Sequence, residues 1–173
     1  MEQKTIRYVV IKYALYFAAM ILLFALGERT ALLPFGIRSV PVIGLFIAIG
    51  MIENELAGGL FGLMAGILCD GASALVFGTA SILFLLMGCG VGLLSMYLIN
   101  PRPKSAMLLT TGAALFYGLV THYFLYGIWG YEGSGLLLVT HTFPSVVLTG
   151  AWGFALFYVV KSVHTFIEMK IEG

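Results

Sequence analysis

Apolar residues fall in six blocks along the chain, at about residues 8–26, 40–52, 56–69, 74–99, 106–128 and 136–160, with polar or proline-bearing breaks between them. A helix rises ~1.5 Å per residue, so about 20 apolar residues cross a ~30 Å hydrocarbon layer. Four blocks have that length. The second is short and ends in Glu53, Asn54 and Glu55, and the third is short and stops at Asp70. They form either a re-entrant pair or two short helices in a locally thin, protein-lined region, and the reading adopted here is two short spanning helices. The run Asn100-Pro101-Arg102-Pro103-Lys104 stops the fourth block, because proline removes a donor and restricts the residue before it. The pattern predicts an all-α, polytopic membrane protein with six transmembrane helices, two of them short, in one domain over residues 1–173. No internal repeat, charge run or low-complexity linker divides it.

Composition agrees with the pattern. Of 173 residues 61% are hydrophobic and 10% charged, against about 25% charged in an ordinary soluble domain. Nine basic and eight acidic residues give a net charge of +1, so nucleic acid is excluded as a main partner. The first block, preceded by Lys4 and Arg7, has the flanks of a secretory signal. Its length and Lys12 predict a retained first helix. Lys and Arg near helix ends mark the cytoplasmic face. With both termini cytoplasmic, Lys4, Arg7, Lys12, Arg102, Lys104, Lys161 and Lys170 lie inside, and Arg29 and Arg38 outside. Tyr8, Tyr13 and Tyr16 at one face, and Tyr123, Tyr126, Trp129 and Tyr131 at the other, fit interfacial aromatic anchors.

Asp70 is the single aspartate and ends a helix that carries Gly58, Gly59, Gly62 and Gly66. The four-residue step from Gly62 to Gly66 places both on one face, where another backbone can approach closely. That face either nests among the chain's own helices or forms a groove for an apolar partner helix. Asp70 sits in the headgroup layer, caps the next helix, or pairs with an arginine, either from a partner or internal as Arg29 or Arg38. Glu53 and Glu55 lie in a tight cytoplasmic turn, either solvated or in contact with a basic partner segment. His122 and His141, beside Thr121, Thr140 and Thr142, either line a shallow outer polar cavity or are satisfied by neighbouring hydroxyls and carbonyls.

No Cys or carboxylate stands at metal spacing with either histidine, so no metal or cofactor is expected. Cys69 and Cys89 are read as packing residues. Aspartyl proteolysis needs two carboxylates sharing a proton, and there is one Asp. The serine version expects Gly-x-Ser-Gly, whereas the chain reads Tyr131-Glu132-Gly133-Ser134-Gly135. Phosphate-cradling loops are also absent, so the expectation is a protein without enzymatic activity.

The short second helix, the Gly62-x-x-x-Gly66-x-x-x-Asp70 helix and the following Gly78 resemble the MreD family of bacterial rod-shape-determining membrane proteins. The specific part of the resemblance spans about residues 55–92. The family pattern follows Asp with a small-residue stretch and Leu-Gly; here the stretch is Gly71-Ala72-Ser73-Ala74-Leu75-Val76-Phe77-Gly78, with Phe77 in place of the leucine. The resemblance implies a fold like that of the S components of energy-coupling-factor vitamin transporters. It further implies a scaffold in the bacterial cytoplasmic membrane that binds MreC, with MreB, RodA and a class B penicillin-binding protein in the same assembly. Gly62, Gly66, Asp70 and Gly78 would then shape the region of the third and fourth helices, or a docking face for a partner. A vitamin-binding S component is the alternative, with Ala14-Leu15-Tyr16-Phe17-Ala18 as its coupling motif and His122, His141, Glu132 and Asp70 as ligand contacts.

Overall fold

A computed structural model of the chain describes residues 2–30, 39–72, 77–124, 140 and 142–172. Six helices occupy these residues: α1 (Glu2–Thr30), α2 (Pro41–Ile52), α3 (Glu55–Ala72), α4 (Thr79–Tyr97), α5 (Pro103–His122) and α6 (Phe143–Glu172). No strand occurs among the described residues. Proline opens α2 and α5 at the first turn, where a missing N–H costs nothing. The Asn54 side chain accepts from Ala57 N at 2.7 Å and caps α3.

The short α2 is the centre of the bundle. Pro41 to Met51 are all buried, and α1, α3, α4, α5 and α6 all pack against it. At 12 residues it is ~18 Å long, less than the hydrocarbon layer, so its ends must find partners inside the protein. They do: Val40 N donates to Thr149 Oγ1 at 3.1 Å, and Ser95 Oγ donates to the Met51 carbonyl at 3.2 Å. Phe46 of α2 meets Phe84 of α4 at 5.2 Å between ring centroids, and Phe84 meets Tyr117 of α5 at 4.9 Å, which ties three helices together.

Among the described residues, four helices are long and apolar enough to cross a membrane: Ile6–Arg29, Glu55–Ala72, Thr79–Tyr97 and Phe143–Lys170. Their outer faces carry large apolar side chains such as Leu22, Leu60 and Ile82, each at least 60% exposed. Contiguous apolar surface of this kind is stable only against lipid or another protein. The chain is a helical membrane protein.

Several helix ends differ from expectation. The expected first helix over 8–26 extends to Glu2–Thr30, and the sixth, expected over 136–160, runs from Phe143 to Glu172. Neither extension contains proline, and charged residues are good helix formers, so leaving hydrocarbon does not end the helix. The fourth begins at Thr79 rather than residue 74, because Gly78 at φ +101° forms its N-cap. The fifth is α-helical to His122 and continues as π-helix through residues 123 and 124, and its expected end at 128 lies outside the described residues. Residues 125–139 and 141, which hold the expected outer ends of helices five and six, lie outside the described residues, as do 73–76.

Candidate functional site

The antiparallel α3–α4 hairpin is built on glycine. From one end to the other, Glu55 faces Gly92, Gly58 faces Gly88, Gly62 faces Phe84, and Gly66 faces Ser81. A Cβ at Gly62 would lie 2.8 Å from the Phe84 carbonyl carbon, and one at Gly66 would lie 2.6 Å from Ser81 N. Only glycine permits so close an approach of the two backbones. The groove expected for a partner helix is therefore filled: α4 occupies the glycine face, joined at Gly58 by Gly50 of α2.

That approach delivers Asp70 to the start of α4. Asp70 lies one turn beyond Gly66 on the same face and is 3% exposed. Its Oδ1 accepts from Ala80 N at 2.9 Å, and its Oδ2 accepts from Gly78 N and Ser81 N at 3.0 Å each and from Ser81 Oγ at 2.6 Å. A helix leaves its first N–H groups without intrahelical partners, and a carboxylate also favours the positive end of the helix dipole. Asp70 performs for α4 what a local N-cap performs elsewhere, from the preceding helix. Of the alternatives open in sequence, capping is the one realised.

The opposite end of the bundle holds a second polar cluster. Glu53 Oε2 takes the Lys12 ammonium at 2.6 Å, and Oε1 accepts from Tyr16 Oη at 2.9 Å and meets His164 Nδ1 at 2.9 Å. His164 Nε2 reaches Glu168 Oε1 at 3.0 Å, one turn further along α6. Burial pushes the Glu53 carboxyl up, but the hydrogen bonds from Lys12, His164 and Tyr16 outweigh it and hold the group below its ordinary value. Neither sequence reading of Glu53 holds, since the chain itself supplies its basic partner. Glu55 is half-buried at the start of α3, its backbone against Gly92. Tyr16, expected as an interfacial anchor, is 2% exposed and packs edge-on against Phe61.

The remaining candidates are less assembled. His122 is half-buried at the end of α5, near the buried hydroxyl of Thr121, and Thr142 packs against Gly118. His141 lies outside the described residues, so the expected pairing of the two histidines does too. Ala14 and Ala18 are exposed on α1. Cys69 is buried and Cys89 packs beside Gly59, as expected of packing residues.

Sequence reasoning missed His164, Tyr16 and Ser81. One signal was present: an ammonium inside an apolar helix, such as Lys12, requires a carboxylate at its depth, and Tyr16 stands one turn away on the same face. Comparison of the chain with protein-family models, curated proteins and solved structures finds no match.

Proposed function

We propose that the chain is a non-enzymatic scaffold of the bacterial cell-elongation machinery, of the kind the MreD family provides. It binds MreC and helps couple MreB filaments to peptidoglycan synthesis, with RodA and a class B penicillin-binding protein as more distant partners. One observation carries the reading: Gly62, Gly66, Asp70 and Gly78, the positions on which the family resemblance rests, act as a single joint between α3 and α4. A motif made of scattered glycines and one acid has a physical reason to occur together when each member serves the same helix junction.

The reading places six crossings in the cytoplasmic membrane, with both termini inside. Lys12, Glu53 and His164 meet at one end of the bundle, and Asp70 meets Gly78 at the other, as alternating helices require. The short α2 crosses surrounded by protein rather than lipid. Because α4 covers the glycine face, a partner's spanning helix meets the outer faces of the bundle.

The test is purification of the tagged full chain from its native host in mild detergent after brief crosslinking, with mass spectrometry of what remains bound. Recovery of MreC-like and transpeptidase proteins is expected. Recovery of a transmembrane coupling subunit with ATPases would overturn the scaffold and favour a vitamin-binding S component.

A further inference from the structure

The last turns of α6 carry a surface that the bundle does not use. Tyr158, Lys161, Ser162, Thr165, Phe166 and Met169 line an open depression of about 440 Å³ along one side of the helix. Their spacing of three and four residues puts them on a single face. Lys161 is the only charged residue of the lining, is exposed, and has no ion-pair partner among the described residues. The nearby carboxylate of Glu168 is engaged by His164.

Position narrows what can sit there. With 30 residues α6 is ~45 Å long, so it outruns a ~30 Å hydrocarbon layer and its end lies among headgroups. Phe166 and Met169, at 57% and 62% exposure, are apolar surface beyond the cation, and Lys170 lies 5.1 Å from the Phe166 ring centroid. An ammonium with two hydroxyl donors beside it suits a phosphate ester, and aromatic and thioether walls suit the carbons attached to it. Under the orientation proposed above, this end faces the anionic cytoplasmic leaflet.

We infer that this face of α6 holds the headgroup of an anionic phospholipid, with Lys161 on the phosphate and Ser162 and Thr165 donating to it. The inference rests on the membrane character of the chain and on the orientation proposed above, not on its role as a scaffold.

The test uses the full chain in detergent, stripped of lipid and titrated with phosphatidylglycerol or phosphatidylcholine of identical acyl chains, with retention read by native mass spectrometry. The wild type should retain phosphatidylglycerol about fivefold better, the effect of roughly one cation at a membrane surface. Lys161→Gln should bring the ratio close to one, Ser162→Ala with Thr165→Val should lower it less, and Lys104→Gln, exposed at the start of α5, should leave it unchanged. Equal retention of both lipids by the wild type, or undiminished selectivity in Lys161→Gln, overturns the inference. So does an equal loss in Lys104→Gln, which would make the effect one of overall charge. Crosslinking from position 166 to a protein without lipid selectivity assigns the face to a protein partner and also overturns it.

Discussion

Two buried carboxylates sit at opposite ends of this bundle and are satisfied in opposite ways. Asp70 is held chiefly by backbone N–H groups of one neighbouring helix, 8 to 11 residues away in sequence. Glu53 is held by side chains from α1 and α6, separated from it by 37, 41 and 111 residues. The first arrangement closes a hairpin and needs no other element. The second fastens the first and last helices to the central turn. The α3–α4 pair is accordingly closed by contacts of its own, whereas α1 and the end of α6 are attached to the central turn through a polar clasp. This difference can be broken at either end.

The largest effect is expected from Gly66→Leu. A side chain there must displace the Ser81 backbone, so the variant loses helix packing and the Asp70 cap together, at a cost of roughly 4 kcal/mol or more. Reversible unfolding in bicelles would measure it. The same variant cannot serve as a clean test of partner binding, because it damages the fold first. Asp70→Ala leaves two buried N–H groups, a part-buried one and a buried hydroxyl without their acceptor, an expected loss of about 3 kcal/mol, with Asp70→Asn near half of that. Since glycine approach and capping form one unit, Gly66→Leu combined with Asp70→Ala should fall well short of the sum. Additivity in that double-mutant cycle would show that the two act separately.

The α3–α4 end was largely legible in sequence, and the Glu53 end was not. Glycine at four-residue steps declares a helix face without reference to any other part of the chain, and an acid one turn further on declares a cap or a partner at that face. What the steps do not reveal is which helix covers the face; α4 covers it because Gly88 and Gly92 present a matching small surface. Glu53 has no such local pattern, because its partners come from helices far apart in the chain and contacts of that range leave no period to read. The helices themselves followed from hydrophobicity. Their ends did not, since residues 161–172 continue as helix where polar and charged residues already interrupt the apolar run.

At the Glu53 end, Glu53→Gln leaves Lys12 nearly buried without its counter-charge, at an expected loss of about 2 kcal/mol at this half-wet boundary. Replacing both partners, as in Lys12→Met with Glu53→Leu, should recover most of that loss, because the penalty lies in the orphaned charge. The clasp also has a pH signature. The Glu53 carboxyl is held below its ordinary 4.5 in the folded protein, so its contribution is complete above that value and disappears as pH falls through the folded-state value. Wild-type unfolding should show this acid limb, and Glu53→Gln should flatten it. An unchanged limb in the variant would place the acid sensitivity elsewhere.

The smallest effect separates the buried part of the clasp from its exposed edge. Glu168 pairs with His164, four residues earlier on the same helix, and its side chain is 57% exposed. Exposed pairs of this spacing contribute about 0.3 kcal/mol, so Glu168→Gln should barely change stability. His164→Gln removes a bond to Glu53, whose side chain is 7% exposed, and should cost about 1 kcal/mol. If the two variants lost the same amount, the clasp would depend on the helical pair within α6. The expected threefold disparity instead makes His164 the point where α6 joins the central turn, with Glu168 acting only on the imidazole's outer nitrogen.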